Sequence, residues 1–430
     1  MVVAALLLGL GLTGPALLSP DNTSNTSKSG GDYLNEAMAA YQKKEYPAYL
    51  ENLTRAYRAM PGSVTLMYYL SSAHALNGNP EQALDWLKKV AAGGLYFPVE
   101  GDPDFDILKD NPQFKTLLKQ LAANTKPVKN SETAFTIPEK DLVPEGITYN
   151  PRNKTFYITS IYKRKIISID CTGKIEDFIA EKQDNFWGGV GIRVDIPRQV
   201  LWANNRVGNH IKDFQTETPG LAGISKYQIA GKKLLKKYVV ADGKPHLLND
   251  LINHPDGTVY ITDSETGAIY TISQMKDQLE IYIEPGHFVY PNGITMSDDH
   301  AYLFVAHLEG ISRVRIEDKS IHPLTHPEHV VLCGIDGLYF YRGGLVAVQN
   351  DSGLNRAVRF FLNKNLDRVE KVSILDSHHP LYNIPTTGVI VGDDFYYIAN
   401  SQMGNFTPDN TLYPLDKLEE VIILKNRLTH

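Results

Sequence analysis

The spacing of apolar positions changes once along the chain. From residue 32 to about 123 it is helical. Ala37, Ala40 and Tyr41, then Tyr49, Leu53 and Ala56, fall on single helix faces. Lys43-Lys44-Glu45-Tyr46 separates the first two runs and Pro61 closes the second. Leu70, Ala73 and Ala75 form a third run, and Asn77-Gly78-Asn79-Pro80 separates it from Ala83, Leu84 and Leu87. The stretch from Asp102-Pro103-Asp104-Phe105 to Leu121 predicts a closing helix, with Asn111-Pro112 opening its last part. Residues 124–140 read as a linker that ends in a strand near Ala134 to Ile137. From Leu142 onward short alternating apolar runs, punctuated by Gly, Asp-Gly and Asn, predict strands and turns.

Tyr49 and Ala83 occupy matching places 34 residues apart. Two helices per unit, small residues at the crossing and a terminal Pro resemble the tetratricopeptide repeat. The resemblance covers about 70 residues of the 32–123 region. It implies either a groove for a protein or peptide partner or a module that only buttresses its neighbour.

In the β region one phrase recurs six times: a polar or turn residue, then Gly or Asp, then an apolar residue that opens a strand. The copies are Pro144-Glu145-Gly146-Ile147, Gly189-Val190-Gly191-Ile192, Leu248-Asn249-Asp250-Leu251, Pro291-Asn292-Gly293-Ile294, Ile335-Asp336-Gly337-Leu338 and Thr386-Thr387-Gly388-Val389. Their anchors, at 146, 191, 250, 293, 337 and 388, step by 45, 59, 43, 44 and 51 residues. That is the length of one four-stranded propeller blade. A second strand follows each phrase and carries Phe156, Leu201, Tyr260, Leu303, Val346 or Tyr396. The expected fold is therefore mainly β: a six-bladed β-propeller over residues 141–427, after an N-terminal α-helical domain at 32–123. Val421 to Leu424 and the strand near Ala134 are expected to share the last blade and remove an open edge.

Composition narrows the function. Among 430 residues, 43 Lys and Arg against 49 Asp and Glu leave a net charge of −6. No basic excess is available to neutralise phosphates, which argues against nucleic-acid binding. Cys171 and Cys333 allow one disulfide, or two buried free thiols. Met1 to Pro20 resembles the apolar region of a secretory signal without its basic start or a clear cleavage site, so export, or anchoring by an uncleaved segment, is expected. Residues 21–31 read as a polar spacer.

In a propeller the first strand of each blade lines the central channel. The residue before each anchor then arrives at one face: Glu145, Val190, Asn249, Asn292, Asp336 and Thr387. Glu145, Asn249, Asn292 and Asp336 are hard oxygen donors in register, which suits one divalent cation. Ca²⁺ is expected, with Mg²⁺, Mn²⁺ or Zn²⁺ as alternatives; a set without Cys or His argues against zinc. The second strands return to the same face with Ser160, Asn204, Asn205, Arg206, Asp263, His307, Asn350 and Asn400. Asn249, Asn204, Arg206, Asp263 and Asn350 are the expected substrate contacts. Asp336 and His307 are the candidate acid–base groups.

The set Glu145-Gly146, Asn249-Asp250, Pro291-Asn292-Gly293 and Asp336-Gly337-Leu338 resembles the senescence marker protein-30 / gluconolactonase family over residues 140 to 427. The resemblance implies an axial cation held by the matching Glu145, Asn292 and Asp336, with Asn249 beside it near the substrate. Three positions depart from the family's pattern. Ile147 replaces a usual Pro, Leu247 stands where sugar-lactone members often carry Arg, and Val190 replaces the His of the related paraoxonase lactonases. The implied function is hydrolysis of a small lactone or ester by metal polarisation of its carbonyl, with Asp336 activating water. The alternative is a non-catalytic ligand-binding propeller whose helical module recruits a partner. A strictosidine-synthase-like propeller is a third reading.

Overall fold

The computed structural model describes residues 30–213, 220–350 and 353–429. The expected leader at 1–20 and nearly all of the spacer lie outside the described residues. No described helix is long and apolar enough to cross a membrane. The chain divides into two compact units.

The helical unit gathers residues 30–126 with 328–334 and 353–354. Its helices are α1 (Gly30–Gln42), α2 (Tyr46–Ala59), α3 (Val64–Leu76), α4 (Pro80–Ala92) and α5 (Pro112–Asn124), with a 3₁₀ turn at Pro103–Leu108 before α5. From α1 to α3 and from α2 to α4 the starts step by 34 residues. Prolines open α4 and α5, where a missing N–H costs nothing. Asn111 Oδ1 accepts from Gln113 N at 2.8 Å and caps α5. Tyr49, Leu53, Ala56, Ala83 and Leu87 are wholly enclosed, as their helical spacing predicts. Val331, Cys333 and Leu354 join the same core.

The second unit is the six-bladed propeller. Blade 1 holds Pro144–Asn150, Thr155–Ser160, Lys165–Ile169 and Ile175–Ile179, in sequence order from inner to outer strand. Blades 2, 3 and 4 repeat this plan over 188–240, 248–283 and 294–323. Blade 5 spans 335–377 and adds Val128–Lys129 as a fifth, outer strand. Blade 6 takes Gly388–Val391, Asp394–Ile398 and Val421–Arg427 from the end of the chain. Its outer strand is Glu132–Ile137, from just after the helices. Residues 124–140 are thus more than a linker, because they supply two strands to neighbouring blades.

Alternation along the strands fills the spaces between blades. In Val200–Arg206, Leu201 and Ala203 pack with Tyr157, Ile166 and Phe178 of blade 1. Val200 and Trp202 point the other way, against Leu251, Val259 and Ile261 of blade 3. Each large apolar side chain so buried contributes about 1.5–3 kcal/mol. Cys171 and Cys333 form no disulfide; Cys171 is exposed and Cys333 is buried. The outer strand of blade 2, Lys233–Val240, is rich in lysine at Lys233, Lys236 and Lys237.

Candidate metal centre

In four of the six blades the recurring phrase is a β-bulge. In blades 1, 2, 3 and 5 the pairing between first and second strands slips between Pro144 and Ile147, Gly189 and Ile192, Leu248 and Leu251, and Ile335 and Leu338. A bulge leaves residues off the ladder and re-aims their side chains. The residues released include Glu145, Val190, Asn249 and Asp336.

At 146 and 191 the anchor is glycine because the next blade comes too close for a side chain. A Cβ on Gly146 would stand 2.3 Å from Val190 O, and one on Gly191 would stand 2.4 Å from Asn249 O. The carbonyls of the residues before the anchors are then pinned from an adjacent blade. Thr159 Oγ1 donates to Val190 O at 2.6 Å, and Asn204 Nδ2 to Asn249 O at 3.2 Å. Thr262 Oγ1 donates to Asn292 O at 2.7 Å, and Thr387 Oγ1 to Glu145 O at 2.6 Å. The backbone beneath Glu145, Asn249 and Asn292 is therefore fixed before any ligand arrives.

Asp336, only 7% exposed, is held at both oxygens. Asn292 Nδ2 donates to Oδ1 at 3.0 Å and Asn350 Nδ2 to Oδ2 at 2.7 Å. Asn350 Nδ2 also donates to Pro385 O at 2.8 Å. Asn249 spends its Nδ2 on Ser264 Oγ at 3.0 Å. Around this group Glu145 Oε2, Asn292 Oδ1 and Asn204 Oδ1 are sealed from solvent and accept no hydrogen bond. Leaving a buried acceptor unmade costs about 1–3 kcal/mol. Burial pushes the Glu145 carboxyl well above its ordinary range; Asp336 and Asp250 add to this, and Arg206 opposes it. Asp336 is also raised by burial, against the pull of its hydrogen bonds from Asn350 and Asn292. A cation would relieve both acids and engage the idle oxygens. Among the described residues no three of His, Cys, Asp and Glu gather as a ligand set. Two carboxylates with amide oxygens make a hard donor set, which fits Ca²⁺ better than zinc.

The remaining expected residues separate by what they touch. Asp263 is filled inside the fold: it accepts from Leu247 N, Glu265 N, Thr266 Oγ1 and, at 2.6 Å, His246 Nδ1. Both oxygens of this expected substrate contact are thus engaged within the protein. His307 Nε2 meets Ser312 Oγ at 2.9 Å, and its Nδ1 accepts from Glu309 N at 3.3 Å. Burial pushes its imidazole down to about 4. Asn205 Nδ2 donates to Ala203 O and Ser225 Oγ, and Asn400 pairs with Glu420 O and Ile422 N. Ser160 Oγ bonds Leu142 O.

Sequence reasoning missed the buried ion pair beside this cluster. Arg193 Nη2 lies 3.0 Å from Asp250 Oδ2, and its guanidinium is 5.4 Å from the Tyr339 ring centre. Leu251 N and Ile294 N also donate to Asp250, and Gly388 N donates to the Tyr339 hydroxyl at 2.6 Å. The signal was present: Arg193 is the one cation in the channel-lining strand Gly188–Asp195, among residues that are apolar up to the terminal Asp195.

No family model matches the chain, and no curated protein matches it. Solved structures similar to it include a gluconolactonase from Xanthomonas campestris, at 15% identity over 71% of this chain and 92% of that one, TM-score 0.48. A calcium-binding protein, regucalcin, from Agrobacterium tumefaciens is similar at 13% identity over 68% and 93%, TM-score 0.48. A luciferin-regenerating enzyme is similar at 13% identity over 71% and 96%, TM-score 0.48. Other neighbours include a virginiamycin B lyase from Staphylococcus aureus and a sugar dehydrogenase from Streptomyces coelicolor. At such low identities and scores below 0.5, any functional conclusion must come from the residues of the centre.

Proposed function

We propose that this protein is a metal-dependent hydrolase of a lactone or related ester. The observation that carries the reading is the trio of sealed oxygens, on Glu145, Asn292 and Asn204, that accept no hydrogen bond around the fixed Asp336 carboxylate. Glu145, Asn292 and Asp336 would hold the cation, with Asn249 and Asn204 beside them. When bound, a cation there supplies Lewis acidity toward a substrate carbonyl and stabilises the charge that develops on its oxygen. Asn292 and Asn350 keep the Asp336 carboxylate from rotating, so that it takes the proton of an attacking water in one orientation. The pinned carbonyls of Glu145, Asn249 and Asn292 hold the surrounding backbone rigid, which preserves that alignment.

The test is elemental analysis of purified protein, paired with a proton-release screen over lactones and aryl esters with and without EDTA. One equivalent of divalent metal and EDTA-sensitive hydrolysis support the proposal. Stoichiometric metal without turnover of any substrate would favour the ligand-binding alternative.

A further inference from the structure

We infer that Arg193 is a positioning residue of the metal centre: it braces the channel across its axis, fixes the bore beneath the ligands and so selects the cation by size. The inference rests on the metal centre of the proposed function and not on hydrolysis.

The blades follow one another around the ring in chain order, so blades 2 and 5 face each other across the channel. Arg193 stands in the inner strand of blade 2 and Tyr339 in that of blade 5, each two residues past its anchor. The Arg193 guanidinium lies 5.4 Å from the Tyr339 ring centre, so one side-chain pair spans the channel. A cation over an aromatic face is held there by the ring quadrupole. The same guanidinium reaches sideways to blade 3, where Nη2 donates to Asp250 Oδ2 at 3.0 Å. Its Nη1 donates to Ile192 O of its own strand at 3.1 Å. A planar fork that holds a carboxylate, a ring and a carbonyl at once is stiffer than the flexible stem of a lysine.

The ends of this brace lie within three residues of the candidate ligands. Asp250 follows Asn249 and accepts from Ile294 N at 3.3 Å, two residues beyond Asn292. The Tyr339 hydroxyl lies against Gly337, where a Cβ would come within 2.6 Å of it, and Gly337 follows Asp336. The same hydroxyl accepts from Gly388 N at 2.6 Å. Thr387, the residue before Gly388, donates its Oγ1 to Glu145 O at 2.6 Å. One network thus links the inner strands of all six blades directly beneath the centre. Size enters through the cation. Ca²⁺ takes its oxygens at about 2.3–2.6 Å in an adaptable shell, and Mg²⁺ at about 2.0–2.1 Å in a strict octahedron. A ring that closes on Mg²⁺ must draw opposite strands together, and the pair between blades 2 and 5 opposes that movement. A ring that opens for the larger Sr²⁺ must stretch the bonds at Asp250 and Gly388. Selection by size then comes from stiffness, without any contact between Arg193 and the ion.

The experiment titrates Mg²⁺, Ca²⁺ and Sr²⁺ into the metal-free full chain by calorimetry. It compares wild type, Arg193→Lys and the double change Arg193→Met with Asp250→Asn, with the melting temperature checked for each. The double change removes both partners, so that no buried charge is left unpaired. Arg193→Lys keeps the ion pair but shortens the reach to Tyr339, and it carries the test if the double variant does not fold. The three ions have the same charge, so an altered field or a general loosening shifts all three affinities together. Only an altered bore changes their ratios. Wild type should prefer Ca²⁺ to either neighbour by at least about tenfold. The double variant should lose about tenfold of that preference and Arg193→Lys about threefold, since a lysine stem holds the brace less stiffly. Ratios that stay at the wild-type values in every folded variant, including a parallel loss of all three affinities, overturn the proposal. A wild type that binds Ca²⁺ no better than Mg²⁺ overturns it as well. A wild type that binds none of the three ions sinks the metal centre and the hydrolase reading with it. Ratios that shift as expected, without hydrolysis of any ester, would sink the hydrolase reading alone.

Discussion

Asn292 donates its amide nitrogen to Asp336 Oδ1 at 3.0 Å and thereby leaves its own amide oxygen with no donor. One hydrogen bond orients a ligand and exposes an oxygen to whatever occupies the centre. If a divalent cation binds there, the folded state gains stability by mass action, about 2.7 kcal/mol at a hundredfold excess over Kd. EDTA should lower the melting temperature and Ca²⁺ should restore it. Asn292→Leu should abolish that response, because it removes both the oxygen and the bond that holds Asp336. A melting temperature indifferent to chelation in the wild type would refute the centre.

Asp336 and His307 separate the two candidate bases. His307 has both ring nitrogens engaged, and burial lowers it to about 4. Asp336→Asn should cut hydrolysis by about 10² to 10⁴ even at saturating metal. His307→Gln should change it by less than about tenfold and leave any activity limb near neutral pH in place. Steady-state rates across pH for both variants decide the matter, and a large loss confined to His307→Gln would move the base role there.

Gly191→Ala tests the close approach of blades 2 and 3. Its Cβ would meet Asn249 O at 2.4 Å, a backbone atom already held by Asn204. Relief requires moving the strand that carries Asn249, at a cost of about 1–3 kcal/mol. Denaturant melts should show that loss, and metal affinity should fall with it. Gly231→Ala is an informative contrast: nothing stands within 4 Å of its Cβ, so only its backbone angle of φ +81° is strained and metal affinity should be unchanged.

His246 makes stability depend on pH. It is buried, with Nδ1 at 2.6 Å from Asp263 and Nε2 at 2.8 Å from Asp242. Burial alone would lower its pKa, but the hydrogen bonds to the two carboxylates outweigh that and raise it above the ordinary 6.5. A group raised on folding stabilises fully below its unfolded pKa and loses that contribution as pH climbs through the folded value. The difference in melting temperature between wild type and His246→Gln should therefore be greatest below about pH 6.5 and shrink above it. A difference that grows with rising pH would contradict the pairing.

The repeats were legible because several blades meet the same local demand. A bulge beside a tightly packed neighbour selects Gly at 146 and 191, and the residue before each anchor is the one released toward the channel. That is why Glu145, Asn249 and Asp336 could be placed from spacing alone. Arg193 with Asp250, and His246 with Asp263, were not legible, because each pair joins positions whose meeting depends on blade geometry rather than on local pattern. Asp263 shows a different limit. A polar residue at a strand end can be consumed by the turn that follows, and the main-chain donors Leu247 N and Glu265 N that consume it carry no mark in the sequence.

The last blade imposes an order of events on the growing chain. Glu132–Ile137 is synthesised early, yet its partner Val421–Arg427 follows roughly 280 residues later. At 5–20 residues per second the wait is roughly 15 to 60 s. During that time the early strand presents an unpaired edge to every other nascent chain in reach. Ring closure also joins positions at nearly the greatest separation the propeller allows, and such contacts form slowly. Asp376 shortens the search. It collects Asn130 N, Ser131 N, the Tyr397 hydroxyl and Asn426 Nδ2, and so gathers both segments of the final pairing at one buried carboxylate. Yield in the cell should accordingly depend on chaperone capacity during translation more than on the equilibrium stability of the finished ring.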